Sequence, residues 1–449
     1  MKRTIDFILR RGLWTSGLLL CLAGASSCEK LLGGYPVETS ESVSLDKVAA
    51  LLSALPLENE HLKEVYTAVG ASSGNGYDEE YTMADLFLSP GKGVGDSDAK
   101  AAQTKASLTR SGNFRPLREL IREYVTSASS ATKAGGAEMD FGDDPEEWLS
   151  ALEDSDVQIY WPYSEDWDGE TAPVFTFDPG DDSDINVGYR VVQEDDGERR
   201  IERIDVTEDF ARKNPVWVVN RNSDCGYTSL DVLRREHPEW DNGGGALIIG
   251  GKALSSAGAA PCSEASSDGA SVDAAPAKAP VTKTGGTGLR TLMIKEFTMQ
   301  RHYDCWFAGG SEFFVKAGSV DDFSASTEAE LRLYSPAITD FMVVVKRKQL
   351  GEALPLNAVI VSDWSEDVER IAFMITEDDG GTVSQWKCSA VVKVASKSYG
   401  FDISLPFNSR DDIVWRGQLS RRYIEATENV SGHFGGVDIT FQVLNYELE

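Results

Sequence analysis

The stretch TLMIKEFTMQRHYDCWFAGGSEFFVK, residues 291–316, decides how the C-terminal part of this chain folds. Two runs rich in apolar, aromatic and β-branched residues, 291–299 and 311–316, read as β-strands. A Gly309-Gly310 turn stands before the second, and two carboxylates, Asp304 and Glu312, stand on either side of that turn. Working outward to residue 449, the same grammar recurs. AELRLYS, DFMVVVKRK, NAVIVSDW, RIAFMITED, CSAVVKVAS, YGFDISLP, DIVWRGQL and VDITFQVLNYEL are strand-like runs bounded by Gly, Asp, Asn or Pro. Many short strands without a convincing helix predict an antiparallel β-sandwich over residues 289–449.

Upstream, residues 251–288 are a flexible low-complexity linker. Their Ser, Ala, Pro and Gly cannot bury enough apolar area to offset the entropy of ordering. Residues 135–250 read as an acidic β-rich domain. Between Glu138 and Glu198 there are twenty-one Asp or Glu against one basic residue, Arg190. Trp148, Tyr160, Trp161, Tyr163 and Trp167 set this segment apart from a disordered acidic tail. Strands are expected at 174–177, 187–192, 201–206, 216–219 and 247–249. Residues 28–134 form a tether and short helices, with helical spacing at Leu62, Val65, Tyr66 and Val69, and at Leu117, Leu120, Ile121, Tyr124 and Val125. The acidic run Asp78, Glu79, Glu80 between them reads as a solvated face. The expected fold is therefore mainly β with a small α-helical N-terminal part.

The first 27 residues read as a signal peptide. Lys2, Arg3, Arg10 and Arg11 precede an apolar run, Leu13–Gly24, too short for a permanent span. Ala25, Ser26 and Ser27 lead into Cys28, an order that resembles the lipobox of bacterial lipoproteins, with Ala at position 25 where that family usually has Leu. The resemblance implies cleavage before Cys28, lipid attachment at its thiol, and anchorage to the outer membrane. Several acyl chains hold stably where one does not. Glu29 resembles the surface-export signal of Bacteroidota lipoproteins. No other stretch approaches eighteen apolar residues, so no transmembrane helix is expected.

The net charge is −30. Removing the leader takes away four basic residues and one acidic residue and leaves about −33. A phosphate backbone is repelled, which excludes nucleic acid as a natural partner. Cations or basic surfaces are favoured. Cys225, Cys262, Cys305 and Cys388 follow the lipobox. Export permits disulfides, and Cys305 with Cys388 is the favoured pairing because both lie in the last domain.

The opening stretch resembles the start of a C2 domain, an eight-stranded sandwich whose end loops bind Ca²⁺ through aspartates. Leu292, Ile294, Asp304, Gly309, Gly310, Ser311, Glu312, Phe314, Val315 and Lys316 occupy the corresponding places. In RIAFMITEDDGGT, residues 370–382, Glu377, Asp378 and Asp379 stand where that family carries its later acidic loop. The resemblance covers about ninety residues. It departs from the family in the eight-residue spacing of the first two carboxylates, in Glu at the second, and in the absence of spaced aspartates later. It implies a Ca²⁺ site built from Asp304, Glu312, Glu377, Asp378 and Asp379, because Ca²⁺ takes six to eight oxygens from separate loops. Trp306 and Trp364, each beside an aspartate at a strand end, are candidates for stacking on sugars.

No catalytic constellation is visible. The four histidines, His61, His237, His302 and His433, form no HExxH, and no GxSxG occurs. The run 178–186 opens like an EF-hand loop but lacks its Gly and terminal Glu. The run 245–253 lacks the first Gly and the Ser/Thr of a phosphate loop. Two functions remain: a cell-envelope binding or structural module for a glycan or envelope protein, with Ca²⁺ as its one expected cofactor, or a surface hydrolase using two carboxylates placed by the fold.

Overall fold

A computed structural model describes residues 43–88, 115–132, 139, 141–142, 144–181, 183–194, 199–222, 224, 227–236 and 288–447. The helical part comprises α1 (Leu45–Ala54), α2 (Asn59–Gly74), α3 (Met83–Phe87), α4 (Leu117–Thr132) and α5 (Pro145–Glu153). In α2 the predicted stripe is buried at Leu62, Val65 and Val69, while Tyr66 is 38% exposed. These helices cover a six-stranded sheet formed by β1 (Glu80–Thr82), β2 (Val157–Tyr160), β3 (Val174–Phe177), β4 (Ile185–Gln193), β5 (Arg199–Thr207) and β6 (Val216–Arg221). Its order is β1-β2-β6-β3-β4-β5, and all pairs are antiparallel except β3 with β6. Trp161, Trp217 and Val219 from the sheet share one core with Val48, Leu52, Val65 and Ile121 from the helices. The boundary drawn at residue 134 from composition therefore runs through a common core. Two short helices close this part, α6 (Glu208–Ala211) and α7 (Leu230–Glu236).

The C-terminal part has β7 (Gly288–Met299), β8 (Ser311–Ser319), α8 (Glu328–Leu331), β9 (Ala337–Val345), β10 (Leu354–Val361), β11 (Val368–Glu377), β12 (Val383–Val394), β13 (Lys397–Asn408), β14 (Asp412–Ser420), α9 (Arg421–Ala426), β15 (Ser431–Phe434) and β16 (Val437–Glu447). A sheet of order β10-β7-β16-β15 lies against one of order β13-β12-β11-β8-β9, with β14 also paired to β11. Leu292, Ile294 and Phe297 of β7 meet Phe313 and Val315 of β8 and Phe373 of β11 in one core. Each fully buried side chain of this size contributes about 1.5–3 kcal/mol.

The molecule is thus mainly β, with 43% strand against 26% helix and an N-terminal helical part. Two expectations are corrected. The C-terminal part has ten strands where an eight-stranded sandwich was expected, and of these β15 matches no strand-like run in the sequence. AELRLYS is not a strand: Thr327 caps α8 by accepting from the Glu330 amide at 3.3 Å, and Glu330 accepts in return from Ser326 N at 2.8 Å. That reciprocal capping fixes a helical turn where apolar alternation suggested an extended run.

The described residues belong to one compact unit spanning Ser42–Glu449. Leu230 of α7 joins the sandwich core, and Ser229 bridges to Met342 of β9. Among the described residues no helix is long and apolar enough to cross a membrane. The leader, Cys28, Cys225, Cys262, the 247–249 run and most of the 251–288 linker lie outside them. Cys305 and Cys388 do not pair. Both thiols are free, with Cys305 beside Asp178 and Cys388 facing the Ile403 carbonyl across β12–β13.

Candidate functional site

Strand pairing builds the site. β8 starts at Ser311 and β11 ends at Glu377, and the two run antiparallel with Phe313 opposite Glu377. The start of one strand and the end of the other therefore share one edge of the sandwich. The Asp378 amide donates to the Glu312 carbonyl at 3.0 Å, which continues the ladder past the last pair. Asp304 enters from the loop before β8. One oxygen each from Asp304, Glu312 and Glu377 lies within 4.8 Å of the others.

The loop that carries Asp304 is held from both sides. Gly310 N donates to Asp78 Oδ2 at 2.6 Å, Asn220 Nδ2 donates to the Phe307 carbonyl at 3.1 Å, and Arg347 Nη1 donates to the Asp304 carbonyl at 3.1 Å. The double glycine has a steric reason. Gly309 has φ +136°, and a Cβ there would lie 2.9 Å from Asp78 Oδ2. Trp306 and Phe307 insert into a small core with Tyr160, Val216 and Val218 of the first sheet. The opening stretch thus fastens the sandwich to the first sheet as well as carrying two acids.

The electrostatics are extreme. Glu377 is 1% exposed, and no N–H or hydroxyl among the described residues donates to either of its oxygens. Burial, then the facing Asp304 carboxyl, push its pKa far above the carboxylate range. Burial likewise pushes Glu312 well up, and each charged neighbour that adds to this, Asp304, Asp78, Asp224 and Glu80, is another acid. Asp304 is raised by burial, with Arg347 opposing. At an effective dielectric of about 20, two charges this close repel by about 3.5 kcal/mol, so three ionised carboxylates need a proton or a cation between them.

Asp378 and Asp379 adjoin this triad without joining it. Asp378 Oδ1 accepts from Asn408 Nδ2 and from Gly380 N, each at 3.0 Å, which ties it to the wall. Asp379 is raised to about 6 by burial and by Asp304, and Asp411 to about 7 by burial and by Asp378. Asp304, Glu312, Asp378 and Asp379 line an open cleft of 880 Å³, whose other wall includes Asp178 and Tyr227. Glu377 does not line it and stands behind.

Trp306 and Trp364 are each 1% exposed, so neither indole offers a face to a sugar. Trp306 Nε1 donates to the Asp184 carbonyl at 3.0 Å, and Trp364 packs in the sandwich core beneath Arg421. The run Asp78–Glu80 is the reverse of a solvated face, since all three residues are at most 5% exposed. The signal in the sequence was the pair of flanking tyrosines, Tyr77 and Tyr81, which draw the run inward. Asn220, Asp224 and Arg347 carried no signal of their own.

No protein-family model, curated protein or solved structure matches this chain.

Proposed function

We propose that this chain is a lipid-anchored module of the bacterial outer membrane that binds an envelope glycan or protein through a cleft organised by a divalent cation of the Ca²⁺ class. The observation that carries the reading is the buried triad Asp304, Glu312 and Glu377 with an unserved Glu377 at its back. Ca²⁺ holds oxygens at about 2.3–2.6 Å, so ligands on opposite sides of one ion lie about 5 Å apart, which the 4.8 Å grouping satisfies. Asp304 and Glu312 line the cleft, so further oxygens from water or a ligand can complete the shell. The lipobox resemblance at Cys28 supports the anchorage, and the charge of −30 supports cationic rather than nucleic-acid partners.

The hydrolase alternative fits less well. Paired glycosidase carboxylates face each other across about 5–10 Å of substrate space. Here the acids are closer, and Glu377 is shut off from the cleft.

The test is thermal melting of the mature chain with Ca²⁺, Mg²⁺ or chelator. At a hundredfold excess over Kd, binding adds about 2.7 kcal/mol. For a unit of roughly 400 residues that is a rise of about 3 °C. Glu377→Gln should abolish the rise, and the exposed Asp402→Asn should keep it. Equal responses from wild type and Glu377→Gln would overturn the reading.

A further inference from the structure

A chain of aromatic rings runs from the core of the first sheet to the surface. Trp217 and Trp161 are buried, with ring centroids 5.7 Å apart. Trp161 meets Trp167 at 5.2 Å, and Trp167 meets the exposed Tyr66 at 5.3 Å. Trp167 is half-buried, and beside it lies a pocket of 350 Å³, separate from the acidic cleft. Trp161, Ala211 and Pro215 contribute its apolar surface, and Trp167 and Tyr163 its aromatic walls.

The walls are fixed in place. Trp167 Nε1 donates to the Thr171 carbonyl at 2.9 Å. The loop between them is pinned by Asp168, which accepts from the Glu170 and Thr171 amides at 2.9 and 2.7 Å and from the Thr171 hydroxyl at 2.5 Å. Tyr163 occupies the left-handed region at φ 59°, rare for an aromatic residue. Its hydroxyl donates to Glu208 at 2.7 Å, and the Arg212 guanidinium lies over its ring at 5.4 Å. A pocket rigid before binding spends little entropy on closing around a ligand.

The rim chooses the ligand class. Asp166 is paired with Lys348 and Arg212 with Glu208, which leaves Asp168 and Lys213 as the opposite charges of the rim, and Asn214 adds an amide. A cation cage would not place Arg and Lys beside its rings, and an anion site would not place two aspartates there. Lys213 makes no ion pair among the described residues, and Asn214 gives its Nδ2 to the Phe210 carbonyl and keeps its oxygen clear. Apolar ring faces with a charge-balanced donor and acceptor rim match a neutral ligand that is apolar on one face and hydroxylated at its edge.

We propose that the pocket at Trp161, Tyr163 and Trp167 is a binding subsite for one ring of a neutral saccharide, stacked on Trp167 and held at its hydroxyls by Lys213 and Asn214. This assignment needs no cation and stands apart from the acidic triad.

The experiment is saturation-transfer NMR and calorimetry on the full mature chain in chelator. The probes are glucose, galactose, mannose and N-acetylglucosamine with their β-linked and α-linked disaccharides. Tetramethylammonium and inorganic phosphate serve as charged controls. At least one neutral sugar should bind saturably, with transfer strongest at ring C–H protons. Trp167→Ala should weaken it at least tenfold, and Lys213→Ala and Asn214→Ala several-fold each, with every variant still melting in one cooperative transition. Trp167→Phe, which keeps a stacking face, should retain part of the affinity and serves in place of Trp167→Ala should that variant not fold. The assignment is overturned if no sugar in the panel binds, if binding ignores Trp167 and Lys213, or if a charged control binds there instead.

Discussion

Glu64 offers a sharp test of the packing. It sits in α2 at 2% exposure, and its Oε2 accepts from Leu117 N at 2.8 Å, the first amide of α4. A carboxylate at a helix N-terminus is normally favoured by the unpaired amides there. Burial opposes this and wins: the pKa is raised from 4.5 to about 7, with the Leu117 hydrogen bond and Arg118 pulling the other way. A folded pKa above the unfolded value means the folded chain holds its proton more tightly. The stability this contributes is fully present below pH 4.5 and is lost as pH rises through about 7. At about 1.4 kcal/mol per pKa unit, the shift corresponds to about 3 kcal/mol. Glu64→Gln keeps an oxygen for Leu117 N and cannot ionise. It should match wild type near pH 4 and exceed it by about 3 kcal/mol near pH 8, or about 4 °C in a unit of roughly 400 residues. The assay is a pair of melting curves at each pH from 4 to 8, read as the difference between variants so that other titrating groups cancel. A difference that stays constant with pH, or a Gln variant less stable at pH 8, would refute the reasoning.

Two more outcomes are expected. Gly309→Ala meets both a φ of +136° and an Asp78 oxygen at 2.9 Å, so it should cost about 2–4 kcal/mol in denaturant unfolding; Gly142→Ala, with positive φ but open space around its Cβ, should cost about 1 kcal/mol, and equal losses would remove Asp78 from the explanation. Expressed in a lipoprotein-processing bacterium, the wild type should enter the detergent phase while Cys28→Ser stays aqueous, and equal partitioning would sink the anchorage.

The strands were legible because their code is local. Residues 174–177 read as a strand from composition alone and form β3. The same code misread AELRLYS, where two polar contacts outvoted the alternation, although the T-x-x-E spacing of Thr327 and Glu330 is itself a capping signature. β15 has only four residues, Ser431–Phe434, and exposed polar positions, so it carries too little hydrophobic pattern to be seen without its partner β16.

Site chemistry was less legible because burial is not local. Asp304, Glu312 and Glu377 were visible as acids near strand ends, and antiparallel pairing of β8 with β11 brings the last two together from 65 positions apart in the chain. Nothing near Asp78 or Asn220 in sequence says that they will grip residues 307–310 from across the molecule. The tryptophans show the same limit. Trp306, Trp364 and Trp167 all stand beside or near acids, and only the fold decides that the first two are walled in while the third keeps a face at the surface. Glu208 shows why such groups cannot be moved singly. It accepts from Tyr163 at 2.7 Å and from Arg347 Nε at 2.9 Å, and Arg347 in turn holds the Asp304 carbonyl. Those contacts hold Glu208 down to a pKa of about 2 against the cost of its burial. One ionised carboxylate therefore braces the aromatic pocket on one side and, through a 7% exposed arginine, the loop that carries Asp304 on the other. With its pKa held near 2, that carboxylate stays ionised across the neutral range, so both loops keep the same anchor as pH changes.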